Sequence, residues 1–183
     1  YFADLREKLN EYPNQNVFLK RISDNIMANA DLYLSEPLPV YGVEEKLDEA
    51  RLGLKHIFAC AYAFNLTGDN RYLNKAKADL LALCNFADWN QSQYLCVGET
   101  AMAVAIGYDW LYGKLTNQER ELIRNKLYKE AIATWEANWS QFNYSSNWNE
   151  VCWGGLVAAS IALYMHCFNS SSVTPISFNW ACS

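Results

Sequence analysis

Apolar side chains recur along most of the chain at the three- and four-residue spacing of amphipathic helices. This pattern predicts helices over residues 17–34, 43–65, 71–84, 94–112, 117–137 and 148–167. Gly68 supplies a left-handed stop after the second of them, and Thr116 with Glu119 forms a capping box before the fifth. No period-2 segment of useful length predicts a strand, so we expect an all-α fold.

Charged and apolar helices alternate along the chain. Residues 71–84 form an amphipathic pattern, with Lys75, Lys77 and Asp79 predicted on the solvent side, and the almost wholly apolar residues 94–112 follow. Residues 117–137 and 148–167 repeat this order after about 45 to 50 residues, which is typical of stacked antiparallel helical hairpins. We therefore predict one domain over residues 1–168 and an irregular tail over 169–183.

Composition narrows the possible partners. The chain of 183 residues is 51% hydrophobic and carries a net charge of −5, without a basic run that would suit nucleic acid. The longest uncharged apolar run, residues 151–168, is interrupted by Gly154-Gly155 and predicts a buried helix and no membrane span. Six cysteines without metal-ligand spacing predict buried free thiols, and we expect no metal or cofactor. We also expect an extracellular or periplasmic protein whose signal peptide lies outside this chain.

Two polar, aromatic segments precede the apolar helices. The first contains Trp89, Tyr94 and Glu99, and the second contains Tyr144, Asn147, Trp148 and Asn149. If the hairpins stack in parallel, both segments lie at the same end of the molecule. Aromatic rings that pack on sugar C–H faces and amides that satisfy hydroxyl groups would suit a carbohydrate ligand there.

Several of these residues also have structural interpretations. Asn147 with Glu150 makes a capping arrangement, whereas the cap does not require Asn149. A tryptophan such as Trp148 is more often a core residue than a binding platform. Glu99 is either stabilised near a helix N-terminus or a buried functional carboxylate. Asp109 lies near a helix C-terminus, where an acid needs a partner such as an arginine or an amide.

Three motifs in a fixed order resemble a known family. The segments DWN, AIGYDWLY and NWNEVCWGG are similar to the helical domain of heparinase II/III-like polysaccharide lyases, over about residues 15–168. The resemblance implies part of an incomplete (α/α) toroid, β-rich domains after it, and β-elimination on an anionic, uronate-containing polysaccharide such as a glycosaminoglycan or alginate. It implies that Asn147 and Asn149 act in catalysis by contacting the uronate carboxylate or sugar, with Tyr144 a weaker candidate.

The chain departs from the family pattern at residues that carry the chemistry. No histidine stands in residues 143–147, no catalytic tyrosine segment or β-sandwich follows Phe168, and no lysine or arginine follows Glu130. We therefore expect a lyase fragment that is inactive alone. Two alternatives remain open: a noncatalytic carbohydrate-binding or scaffolding helical array, and an (α/α)-barrel glycoside hydrolase with Glu99 or Asp109 as its acid.

Overall fold

The computed structural model describes residues 1–11, 17–42, 46–138 and 147–167, and this part of the chain is all-helical. Its α-helices are α1 (Phe2–Glu11), α2 (Val17–Tyr33), α3 (Lys46–Thr67), α4 (Asn70–Asn85), α5 (Tyr94–Leu111), α6 (Asn117–Leu127), α7 (Thr134–Asn138) and α8 (Asn147–Cys167). A 3₁₀ turn, Tyr112–Lys114, follows α5, and a π-helical segment, Tyr128–Ala133, joins α6 to α7.

Five of the six helices predicted from periodicity are confirmed to within three residues at both ends, and the sixth, 117–137, is helical but divided into α6, the π-helical segment and α7. The capping box of Thr116 and Glu119 is present, and Gly68 has a φ of +76°. Helix α1 was not predicted, and the π-helical segment interrupts the predicted helix 117–137. The predicted tail, residues 169–183, lies outside the described residues.

Helices α3 and α5 lie side by side and run in the same direction. Near their starts, the Arg51 side chain is ion-paired with Glu99. Near their ends, the Asn65 side chain donates a hydrogen bond to the Trp110 carbonyl oxygen at 3.1 Å. Because early residues meet early residues and late residues meet late ones, the two helix N-termini lie at the same end of the molecule.

Helices α5 and α8 are also parallel, and their backbones touch. A Cβ atom added to Gly155 would collide with the Gly98 carbonyl oxygen and would lie 2.8 Å from the Gly98 Cα. A Cβ added to Gly98 would lie 2.9 Å from the Cys152 Cα. Only glycine permits this approach, so Gly98 and Gly155 set the separation of the two helices. At their other ends, His166 meets Asp109.

The remaining long helices form a second layer that runs in the opposite direction. Leu83 of α4 packs at Gly53 of α3, while Asp79, one turn earlier in α4, meets His56 farther along α3. Helix α6 is parallel to α4, since Lys77 Nζ lies 2.9 Å from the Glu119 carboxylate at the start of α6, and Lys126 near its end donates to the Ala87 carbonyl oxygen just after α4. Helix α2 is antiparallel to α3, since its Ala30 carbonyl oxygen meets Cys60, whereas Glu36, just after α2, meets His56 earlier in α3. In the described part of the chain, helices α3, α5 and α8 thus form one layer, and α2, α4 and α6 form the other.

The hydrophobic core lies between these two layers. Its largest fully buried apolar side chains are Tyr108, Ile57, Leu80, Leu83, Leu111, Ile123 and Leu127. Helix α1 attaches to one side of it through Phe2, whose ring packs edge-on against Tyr62 and Trp110. Within the described ranges, none of the helices combines the length and apolarity that crossing a membrane requires.

The polarity predicted for α4 was wrong at two positions. Lys75 is only 8% exposed and Asp79 is fully buried, although both were predicted on the solvent side. The charged side chains face the α2–α3 side of the helix, where buried polar partners receive them. A hydrophobicity pattern assigns charges to solvent because it contains no information about such partners.

Candidate functional site

The end of the molecule at which α3, α5 and α8 begin is rich in polar groups. In the loop between α4 and α5, Asp88 accepts a 2.7 Å hydrogen bond from the Tyr41 hydroxyl and a 2.8 Å bond from the Asn90 backbone N–H. Asn90 adopts a left-handed φ of 59°, which asparagine tolerates better than most residues. These bonds hold the pKa of Asp88 below its usual value, first because of Tyr41 and then because of Asn90.

A small pocket lies beside this loop. Its walls include Tyr41, Lys46, Asp88 and Cys96, and its volume of about 20 Å³ suffices for about one water molecule. A sugar ring is far larger than that. The loop therefore presents a polar surface, and the pocket beside it does not enclose a ligand of the predicted size.

Trp89 and Tyr94, two predicted sugar contacts, are core residues in this structure. Trp89 is 2% exposed, and its indole N–H donates to the Leu83 carbonyl oxygen at 3.0 Å. Tyr94 is buried at the start of α5, with its hydroxyl 3.2 Å from the Ala131 carbonyl oxygen. Burial raises the pKa of Tyr94 well above its ordinary value, so this hydroxyl stays protonated and is unsuited to act as a base.

Glu99 is a largely buried member of an ion pair. Arg51 Nε lies 3.0 Å and 3.2 Å from the two Glu99 carboxylate oxygens. The Glu99 side chain is 12% exposed, whereas the Arg51 side chain is 54% exposed. Glu99 thus lies beyond the exposed first turn of α5, so the interpretation as an exposed first-turn acid does not hold. It is a largely buried carboxylate that is already paired with Arg51.

The first turn of α8 carries the remaining described candidates. Asn147 is exposed and begins the helix, while Trp148 is half-buried and packs against the core. Asn149 is also half-buried, and its Oδ1 atom is buried without a hydrogen-bond partner among the described residues. Tyr144 lies outside the described residues. The α5–α8 packing brings Asn147 and Asn149 to the same end as the α4–α5 loop, as the hairpin pattern predicted.

A second buried acid near this loop was missed in the sequence. Glu130, in the π-helical segment, is 1% exposed and receives hydrogen bonds from the Gln91 amide and from Lys126 at 3.0 Å. Lys126 also donates to the Ala87 carbonyl oxygen. Glu130 thus ties the α4–α5 loop to α6. No sequence signal distinguishes Glu130, because it follows Lys126 and Lys129 in an ordinary amphipathic pattern.

The acid at the end of α5 has a partner that was not predicted. Asp109 accepts a hydrogen bond from His166 Nε2 at 2.8 Å, in place of the expected arginine or amide. The His166 ring stacks on Tyr112 with a centroid separation of 3.9 Å, and the Arg120 guanidinium lies 4.1 Å from the centre of the Tyr112 ring. This group fastens the C-terminal ends of α5 and α8 to α6, at the end opposite the predicted sites.

The other histidine lies inside a buried polar cluster. His56 is fully buried, with Nε2 2.9 Å from a Glu36 carboxylate oxygen and Nδ1 3.3 Å from Asp79. Lys75 Nζ lies 3.3 Å from each Asp79 oxygen and donates to the Glu36 carbonyl oxygen at 2.7 Å. The His56 hydrogen bond is the main cause that lowers the pKa of Glu36. The cluster links α2, α3 and α4, and its spacing of 20 and more residues hides it from sequence motifs.

Four cysteines are buried free thiols, as predicted: Cys60, Cys84, Cys96 and Cys152. Burial raises the thiol pKa of Cys60 and of Cys84 to about 12 and that of Cys152 to about 11. A thiol that stays protonated at neutral pH is a poor nucleophile, so these cysteines are packing residues. The Cys167 side chain and Cys182 lie outside the described part of the structure.

Comparisons with known proteins do not identify a family. A scan against protein-family models and a search of curated proteins both find no match to this chain. A function therefore has to be argued from the residues and their geometry.

Proposed function

We propose that this chain forms the polysaccharide-recognising helical part of a lyase that cleaves uronate-containing glycans by β-elimination. The observation that carries the proposal is the parallel run of α3, α5 and α8. It brings the polar segments 87–99 and 147–150 to one end of the molecule. These segments contain two of the motifs on which the resemblance to heparinase II/III-like lyases rests. We also propose that the two helix layers form part of an (α/α) toroid, which is built from such hairpins.

The proposed chemistry assigns this chain to recognition of the uronate carboxylate. In β-elimination the proton beside the carboxylate is removed, and stabilising the charge that develops there lowers the barrier. We assign this role to Asn149 because it lies half-buried in the first turn of α8, and the N-terminus of a helix favours an anion. Its carboxamide can present either its oxygen or, after a half turn, its NH₂ group. Asn147, which is exposed and lies two residues earlier, is the proposed sugar contact.

A noncatalytic glycan-binding array is the second candidate, and two observations favour it. The Tyr94 hydroxyl bonds to a backbone carbonyl, and the Glu99 carboxylate is occupied by Arg51. Neither group is therefore free to act as a catalytic acid or base. The proposal and this alternative share the glycan ligand and differ only in whether bonds are broken.

The hydrolase alternative is not supported by the acids that suggested it. Glu99 and Asp109 are ten residues apart on α5, which separates them by about 15 Å along the helix. Paired carboxylates in glycosidases lie roughly 5 to 9.5 Å apart. Each of the two acids is also paired, Glu99 with Arg51 and Asp109 with His166.

The experiment that tests the proposal is an incubation of the full-length protein, which includes this helical part, with alginate, heparan and chondroitin-type substrates while the absorbance of unsaturated uronate is followed. Product formation supports the lyase proposal. Polymer binding by calorimetry without unsaturated product supports the noncatalytic array instead. Absence of both binding and product contradicts both.

A further inference from the structure

Helix α3 carries a cationic and aromatic surface outside the motif segments. Arg51, Leu54, Lys55 and Phe58 line an open groove of about 480 Å³. Their spacing of three and four residues puts all four on one face of the helix. The groove is open to solvent, so it can be reached by a polymer lying along the surface, whereas the pocket beside the α4–α5 loop has room for about one water molecule.

Glu99 holds the Arg51 side chain in place and leaves most of its N–H donors available. Its hydrogen bonds to Glu99 use the Nε atom, at 3.0 Å and 3.2 Å. A guanidinium has five N–H donors in a planar fork, so four remain on the two Nη groups for an acceptor beyond the described residues. Because Glu99 is largely buried, it fixes the more exposed arginine side chain on the rim of the groove. An arginine fixed in this way suits bidentate recognition of a carboxylate.

The neighbouring side chains complete a surface for an acidic sugar. Lys55, one turn farther along α3, is 45% exposed and lies 3.3 Å from Glu36. Phe58 is 36% exposed and rests on Trp110, with ring centroids 5.3 Å apart. An ammonium group and an exposed ring beside a guanidinium combine charge for the carboxylate with an apolar face for the sugar C–H groups.

We propose that this α3 groove binds an acidic sugar unit of the polysaccharide, with the carboxylate on the Arg51 Nη groups and the sugar face on Phe58. This inference rests on the proposed function and gives it a second binding position. Helix α5 lies between α3 and α8, so two interhelical spacings of 8–10 Å put the groove about 16–20 Å from Asn149. A polymer can span both positions, whereas a single sugar cannot.

The test compares two exposed arginines that are each paired with a carboxylate. Alginate oligosaccharides are titrated calorimetrically into the parent chain, Arg51→Gln and Arg71→Gln. Arg71 is the matched control, since it bonds to Asp69 through Nε at 2.9 Å and Nη2 at 2.7 Å but lies on α4. We expect Arg51→Gln to weaken binding about tenfold, the loss of hydrogen bonds to a charged group, and Arg71→Gln to change it less than about twofold.

A second variant separates lost recognition from lost folding. Arg51→Lys keeps the positive charge but removes the planar fork, so we expect it to weaken binding while its melting temperature stays at the parent value. If the parent binds alginate and both Arg51 variants bind it equally well, the groove inference is overturned and the proposed function stands. If the parent itself does not bind any uronate polymer, the proposed function and the inference are both overturned.

Discussion

Asp79 is a fully buried carboxylate whose charge is balanced from two sides. His56 contacts one oxygen, and the Lys75 ammonium lies 3.3 Å from both. The Asp79 Oδ2 atom lies 3.3 Å from Lys75 Nζ, but the angle does not suit a hydrogen bond, and no other described group bonds to this oxygen. A buried ion pair of this kind adds little net stability while both partners are present. Removing the Asp79 carboxylate, however, leaves the buried Lys75 ammonium without a balancing charge.

Replacing Asp79 is therefore expected to be far more costly than replacing a surface acid in the same kind of pair. Asp79→Asn should lower the free energy of unfolding by about 3 to 5 kcal/mol, because the Lys75 ammonium stays buried without the carboxylate that it faces. Asp24→Asn is the control, since Asp24 and Lys20 form an exposed pair at the same four-residue spacing, worth about 0 to 1 kcal/mol. Urea unfolding of both variants measures the difference. Equal losses would contradict a special role for the buried cluster.

Asn149 should contribute to binding more than to stability. Its Oδ1 has no hydrogen-bond partner, so removing the carboxamide in Asn149→Ala should leave the melting temperature nearly unchanged. The same variant should weaken uronate binding if its amide meets the carboxylate. Calorimetric titration and thermal unfolding of one sample measure both effects. Normal binding together with a clear loss of stability would reverse the assignment of Asn149.

At the scale of the elements, the closest packing is between α5 and α8. Gly98 and Gly155 face one another across a backbone contact, whereas Gly154, one position earlier, faces the Met102 side chain at 3.6 Å. Adjacent glycines of the same helix thus differ in what an added methyl group would meet. Gly155 admits no side chain unless one of the two helices moves, whereas a methyl group at Gly154 would make an ordinary van der Waals contact.

This difference predicts opposite outcomes for two neighbouring alanine substitutions. Gly155→Ala should destabilise the protein by about 1 to 3 kcal/mol or more, because the methyl group forces α5 and α8 apart. Gly154→Ala should be neutral or stabilising, by up to about 1 kcal/mol, because alanine favours the helix. Chemical denaturation of the two variants decides between these outcomes. A Gly155→Ala protein as stable as the parent would show that the two helices do not pack as closely as described.

The helices could be predicted from the sequence, but their contacts could not. Hydrophobic periodicity is a local property, and it located the six longer helices. The contact between Gly98 and Gly155, and the pairing of Asp109 with His166, join residues 57 positions apart. The wrong side predicted for Lys75 and Asp79 has the same cause, since their partners His56 and Glu36 belong to other elements.

At the scale of the whole molecule, the prediction that two polar segments share one end follows from hairpin stacking. Which side chains are exposed at that end depends on how the helices pack. Trp89 and Tyr94 are buried because both belong to the hydrophobic core. Arg51 and Phe58 could not be recognised as a common surface until the faces of α3 were known. The sequence therefore predicted which segments lie together better than it predicted which of their side chains are exposed.

Stability should depend on pH through the contact between Asp88 and Tyr41, which fastens the segment before α3 to the α4–α5 loop. The Asp88 pKa is lowered below 3.8, so its contribution is present above that pH and is lost as the pH falls through the lowered value. The Tyr41 pKa is raised above 10.0, chiefly by the same hydrogen bond, so its contribution is lost as the pH rises through the raised value.

Tyr41→Phe should therefore be less stable than the parent in the middle of the pH range. The difference should shrink as the pH falls through the lowered pKa of Asp88 and as it rises through the raised pKa of Tyr41, where the parent loses the same interaction. Urea unfolding of both proteins across this range measures it. A constant difference at every pH would mean that packing of the Tyr41 ring, and not its hydrogen bond to Asp88, causes the effect.

Carboxylate recognition by this helical array is tested most directly with one polymer in two chemical states. A polyuronate is titrated calorimetrically into the protein, and the titration is repeated after its carboxylates have been reduced to alcohols. We expect the acidic polymer to bind and the reduced polymer to bind at least about tenfold more weakly, since charged hydrogen bonds are lost. Equal binding of the two polymers, or binding of neither, would contradict the proposed function.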